Sequence, residues 1–174
     1  TQPGNHSRAA SSGATNRREL DVIAAEVLPD VLEGLSPADV GLVTPFRAQA
    51  GEAAAVLPGV EADTIHKYQG REKRAMVMST VLDAKAEGSR LVDFVDDPRM
   101  INVAVSRAQE RFVMVTNPDL PASCANARSL ADYIAAHTPG DVYRSQVVSV
   151  FDVLYRAYSD KLRGLAARIS GRLE

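Results

Sequence analysis

The chain has 174 residues, 45% of them apolar, and a formal net charge of −2. That length and apolar content suit one folded domain with a real core and exclude a chain disordered throughout. The charge balance is not that of a protein that binds nucleic acid with its whole surface.

No apolar run approaches the ~20 residues of a membrane span, and the N-terminus lacks the basic-then-apolar order of a signal peptide. No membrane partner is expected. The single cysteine, Cys124, allows no internal disulfide framework and fits a reducing, cytoplasmic compartment. His6, His66 and His137 lie far apart in sequence, so no metal site is expected.

Residues 1–14 (TQPGNHSRAASSGA) are small and polar and read as a disordered stretch or linker. Thr15-Asn16 offer a cap to a helix whose apolar positions, Leu20, Ile23, Ala24, Val27 and Leu28, repeat at helical spacing. Pro29 kinks or ends it, and Gly34 marks a stop. Val40–Val43 is an all-apolar strand that leads through Thr44-Pro45 into a helix over Phe46–Val56. A strand of that kind followed by a helix is the unit of a parallel sheet covered on both faces. Val60–Ile65 reads as a weak strand and Met76–Leu82 (MVMSTVL) as a strong one.

Residues 83–98 form a long excursion with a small element at Leu91–Val95. A helix over Arg99–Gln109, a strand over Arg111–Thr116 and a short helix over Ser129–His137 follow. From about Asp141, Val147, Phe151, Leu154, Tyr158, Leu162, Leu165 and Ile169 step by three and four, the pattern of one long amphipathic helix over 139–174. The order predicts a layered α/β domain over 15–138 with a mostly parallel sheet, whose ligands belong at the carboxyl ends of strands.

There is no Gly-Lys dipeptide, hence no phosphate-cradling P-loop. Asp96-Asp97, followed by Pro98, reads as a turn or helix cap rather than a magnesium site. Residues 66–74 (HKYQGREKR) carry a local charge of +3, which on composition alone is a solvated turn.

Arg107, held on a helix, has the chemistry to stabilise charge on a transferring phosphoryl group. Spacing alone equally describes a surface arginine paired with Glu110 or another acid. Asn102 and Ser106 share a helix face from which they could orient it. Gly70 permits close backbone approach, with the Gln69 amide and the Glu72 carboxylate on either side; Glu72 suits a ribose hydroxyl. Thr64 and His66 at one strand end, and Thr44 before a helix N-terminus, offer donors to phosphates of a nucleic-acid strand. A plain turn gives the same letters as QGRE, and a lone histidine is commonly structural.

Three blocks occur in one order: GLVTPFRAQ, then ADTIHKYQGREKRAMVMSTV, then DDPRMINVAVSRAQERFVMVTNP. They resemble motifs IV, V and VI of superfamily-one helicases, in the branch typified by the nonsense-mediated-decay RNA helicase and its bacterial AAA-domain relatives. TNRRELDVIAAEV resembles the segment that opens the second core domain of that branch. The resemblance covers roughly residues 15–118.

It implies a RecA-like, three-layer domain without its own P-loop, with a C-terminal helical extension. In such helicases ATP and Mg lie between two RecA-like domains, and the first supplies the P-loop and the metal ligands. By position, Arg107 is then the motif VI arginine finger and Arg17 a second one. Gln69, Gly70 and Glu72 contact the nucleotide, while Thr44, Pro45, Thr64 and His66 face single-stranded DNA or RNA. The chain alone would not hydrolyse ATP. Two other readings stay open at this level: a binding or regulatory module that kept the fold without the catalysis, and a nucleotide-binding α/β domain with a small-molecule ligand.

Overall fold

Alternation along two strands divides the apolar side chains between two faces of one sheet. In the computed structural model, which describes residues 13–68, 70–83 and 86–145, β1 (Val40–Thr44) sits at the centre with β2 (Glu61–Thr64) and β3 (Lys73–Ser79) on its flanks. Beyond β3 lies β4 (Ala108–Val115), so the order is β2-β1-β3-β4, with every pair parallel. Val40, Leu42, Ala75 and Val77 point into one core, with Leu20, Ile23, Val31, Ala53 and Leu57. Val43, Met76 and Met78 point into the other, with Ile65, Tyr68, Val92, Val95, Met100, Ile101 and Ala104. Side chains of successive strand residues point to opposite faces, so seven residues of β3 serve both cores.

The first core is covered by α1 (Arg17–Val22), α2 (Leu28–Val31) and α3 (Arg47–Val56). Asn16 caps α1, its side chain accepting from the Glu19 N–H. Pro29 does not end this helix. The chain widens into a π turn over Ile23–Val27, in which the Leu28 N–H reaches back to the Ile23 carbonyl. The widening moves the backbone away from the proline ring, which would clash with the carbonyl four residues earlier in a regular helix. Gly34, at φ 79, follows where the helical chain ends.

The second core is covered by residues 65–72, then α4 (Arg90–Val95), α5 (Pro98–Ser106) and α6 (Ala125–His137). Helices on both faces of a parallel sheet make this a three-layer α/β domain of the RecA-like kind.

Several boundaries differ from the sequence reading. The third strand starts at Lys73 and ends at Ser79, because Val81 turns the chain out of the sheet at φ 72. The helix expected over Arg99–Gln109 stops at Ser106, since Ala108, Gln109 and Glu110 join β4, where Ala108 pairs with Lys73. The last helix begins at Ala125 rather than Ser129. Of the segment 139–174, Pro139–Asp141 form a single 3-10 turn and 142–145 have no regular structure. The remainder of that expected amphipathic helix, the stretch 1–12 and Gln69 lie outside the described residues.

A candidate nucleotide edge and strand edge

The path of residues 65–72 decides where the candidate residues fall. They leave the carboxyl end of β2 and must reach the amino end of β3, on the far side of β1. They therefore cross the face of β1. Tyr68 is buried in that crossing, and its hydroxyl donates to the Glu61 carbonyl at 3.0 Å. Burial pushes its phenol well above the ordinary range. Gly41 makes the crossing possible: a Cβ there would stand 2.5 Å from the Tyr68 Oη and 2.7 Å from the Met76 Sδ.

The basic residues of this stretch are paired as they cross. Arg71 meets Glu61 at 2.6 Å and lies over the Tyr68 ring at 5.8 Å. Lys73 reaches Glu61 at 3.0 Å and donates to the Ala38 carbonyl, Lys67 meets Asp63 at 3.6 Å, and Arg74 meets Glu110 at 2.7 Å. The hydrogen bond and charge of Lys73, then those of Arg71, hold the Glu61 carboxyl below its ordinary range despite some desolvation. The local +3 of the sequence is thus answered by acids brought in from β2 and β4.

At the amino edge the crossing delivers Gly70, at φ 83, and Glu72 beside the end of α5. Arg107 is the C-cap of α5, and its carbonyl accepts from the Lys73 N–H at 3.0 Å, which fixes it against the start of β3. Its Nη2 donates to the Ser106 Oγ at 3.2 Å, and its Nη1 stands 4.0 Å from the Glu72 Oε1. The other Glu72 oxygen accepts from the Gln109 Nε2 at 3.2 Å. Arg107 is only 24% exposed, and its Nε is sealed from solvent with no hydrogen-bond partner among the described residues. Glu110, the alternative partner, is occupied by Arg74. Asn102, one turn earlier, is exposed.

Gly70 and Glu72 follow β2 in sequence, yet the crossing takes them away from the carboxyl ends where ligands of such sheets were expected and returns them to the amino edge.

The carboxyl edge holds the other group. Thr44 and Thr64 are level partners at the ends of β1 and β2. The Thr44 carbonyl accepts from the Ile65 N–H, and the Thr64 carbonyl from the Lys67 and Tyr68 N–H groups, so both strand ends are pinned. Thr44 is fully buried, its hydroxyl accepting from the Phe46 N–H at 3.4 Å. Pro45 is half-buried and His66 exposed. His66 borders a cleft with Asp93, Phe94, Asp97 and Met100.

Arg17 also belongs to this edge. Its helix is anchored by Glu19, whose carboxylate accepts from the Ser79 Oγ at 2.6 Å and from the Val81 N–H at 3.0 Å. Arg17 pairs with Asp21 at 3.0 Å. The seven residues of β3 separate the two edges by about 20 Å, so Arg17 and Arg107 do not converge.

Asp96 and Asp97 act as helix caps. Asp97 accepts from the Arg99 N–H at 2.8 Å at the start of α5, and Asp96 accepts from the Ala127 N–H at 2.9 Å and the Asn126 side chain at 3.1 Å at the start of α6. Among the described residues no cluster of His, Cys, Asp and Glu is placed to hold a metal ion, and no helix is long and apolar enough to cross a membrane. Gln109, beside Arg107 in sequence, steadies Glu72, and one residue at these edges was passed over in the sequence, Phe94, which is 54% exposed. For Phe94 the signal was an aromatic in an otherwise acidic excursion.

Residues 1–119 match the model of a family described as AAA domain. The chain belongs to the AAA domain family. This AAA domain is 35% identical over 102 residues to the DNA replication ATP-dependent helicase/nuclease JHS1 of Arabidopsis thaliana, a match covering 58% of this chain and 8% of that protein. It is 31% identical over 121 residues to the regulator of nonsense transcripts 1 homolog of Neurospora crassa, covering 63% and 11%. With the ATP-dependent helicase upf1 of Schizosaccharomyces pombe the identity is 27% over 128 residues, covering 67% and 14%. The AAA domain thus spans about a tenth of the length of these relatives, and its resemblance to superfamily-one helicases of the nonsense-mediated-decay branch holds.

Proposed function

We propose that this chain is the C-terminal motor domain of an ATP-dependent nucleic-acid helicase or translocase, completed by a P-loop domain of the same polypeptide. Arg107 carries the reading. Its side chain is held by Ser106 and by backbone pairing to β3, yet its Nε is sealed and unpaired and its nearest acid is 4.0 Å away. The side chain is nonetheless 24% exposed and its contact with Glu72 is long, so a phosphate oxygen arriving at the amino edge would compete with Glu72 for the guanidinium's accessible donors. A positioned arginine of this kind can contribute ~10³–10⁵ in rate to phosphoryl transfer.

Glu72 stands beside Arg107 and suits the nucleotide's ribose; the positive-φ turn at Gly70, two residues earlier, and Gln69 join it by sequence position and suit the phosphate side. ATP fits this edge as a ligand shared with another domain. The Mg ligands are expected from the P-loop domain, as in the helicases this chain resembles. The finger role falls to Arg107 alone, because Arg17 is paired with Asp21 at the opposite edge.

The strand of DNA or RNA would cross the carboxyl edge at Pro45, Thr64 and His66. Thr44 shapes the turn beneath it rather than presenting its own buried hydroxyl. One stiff sheet then joins a nucleotide edge to a strand edge, so that closing a cleft on ATP shifts the grip on the strand.

The test is ATP hydrolysis by this chain alone and after addition of the P-loop domain from its own parent protein. The reading predicts turnover only in the pair, stimulated by single strands. Strand binding without turnover in any pairing would instead establish the non-catalytic binding module.

A further inference from the structure

The cleft beside His66 has a chemistry that the phosphate contacts do not explain. It is a shallow opening of about 220 Å³ formed by His66, Asp93, Phe94, Asp97 and Met100. Its most conspicuous wall is Phe94, more than half exposed on a helix whose other apolar residues are buried, as Val92 and Val95 are, or partly buried against the core, as Leu91 is. Two carboxylates border the same opening, so a phosphate would be repelled there. An uncharged, flat group with hydrogen-bond donors suits it better. A nucleobase has a π face for the Phe94 ring, and adenine and cytosine carry exocyclic amino groups that a carboxylate accepts.

Position supports the same occupant. Asp97 and Met100 open α5, whose other end carries Arg107 at the amino edge, so the cleft lies at the carboxyl edge with Thr64 and Pro45.

We infer that Phe94 is a base-stacking platform: one nucleobase of the bound single strand lies on its ring, while Asp93 and Asp97 face the base edge. This rests on the reading of the carboxyl edge as the strand side. The subsite admits one base because the opening measures only about 220 Å³. It favours bases with an exocyclic amino group over thymine.

The experiment measures binding of the 174-residue chain to fluorescent 12-nucleotide strands of oligo-dC, oligo-dT and an abasic strand of the same backbone, at low salt. Wild type should bind oligo-dC most tightly and the abasic strand about tenfold more weakly, in keeping with the loss of one stacked base. Phe94→Ala should remove the preference for oligo-dC while leaving abasic-strand affinity unchanged, and Phe94→Trp should restore it. Thermal melting should not move for either variant, since the ring is largely outside the core. Phe94→Ala binding oligo-dC like wild type would overturn the base subsite. The strand-side reading would then stand if Thr64→Ala weakened binding to every strand. Absence of binding to any strand would overturn both.

Discussion

Glu19 is the residue whose ionisation matters most to the fold. It is fully enclosed, and burial pushes its carboxyl up to about 7, although donors from Ser79, Val81 and Thr80 favour the charged form. A carboxyl raised in the folded state binds its proton there more tightly than in the unfolded chain. Its stabilising contribution is therefore complete below the ordinary value of 4.5 and is lost as pH rises to about 7. The loss is on the order of a few kcal/mol. Denaturant melts of wild type and Glu19→Gln at pH 4.5 and pH 8 check this: the stability gap between the two proteins should narrow or reverse on going to pH 8, as only wild type loses this contribution. At pH 4.5 the substitution itself should cost about 1–3 kcal/mol, because an amide nitrogen would face the Val81 N–H.

Arg74 is the opposite case. Its pair with Glu110 is short but exposed, and such pairs contribute ~0–1 kcal/mol. Arg74→Ala should leave melting and strand affinity almost unchanged, and a tenfold loss of strand affinity would show that the basic turn itself grips the strand.

Among the elements, the crossing segment over β1 does the positioning. Gly41→Ala forces a methyl group against Tyr68 and Met76, an overpacking that should cost about 1–3 kcal/mol in denaturant melts. If the crossing sets the nucleotide edge, the same variant should weaken nucleotide use by the paired motor more than strand binding.

The sequence made this element's ends legible but not its route. Strands, helices and their order could be read from apolar periodicity, as in Val40–Val43 and MVMSTVL. What escaped were features set by pairing between distant residues. Glu72 follows β2 in sequence yet sits with Arg107, because residues 65–72 double back beneath the sheet. Ala108 and Gln109 look helical by continuity with α5 but belong to β4, where Ala108 pairs with Lys73 and the register is irregular before Arg111 meets Ala75. Arg17 looked like a companion to Arg107, and only the anchoring of Glu19 at Ser79 and Val81 places it at the far edge. Phe94 gave no periodic signal at all, since its meaning lies in what it leaves uncovered.

At the scale of the molecule, the account divides one sheet into two working edges about 20 Å apart. In the proposed function the amino edge, with Arg107, Glu72 and Gly70, would face a nucleotide held by another domain, and the carboxyl edge would meet the strand. The net charge of −2 and the internally paired basic turn fit this division, because strand contact then depends on a few oriented groups rather than on a broad positive surface. Strand affinity should accordingly fall only gently with salt, with a slope corresponding to one to three released counterions on the order expected for so few phosphate contacts.

The central claim is that the two edges are chemically separate, and the most direct measurement is strand-stimulated ATP hydrolysis by Arg107→Ala in the paired motor, with strand affinity recorded on the same samples. The account predicts a fall in kcat of about 10³-fold or more with strand affinity within twofold of wild type. Unchanged hydrolysis, or a loss of strand affinity as large as the loss of turnover, would contradict it.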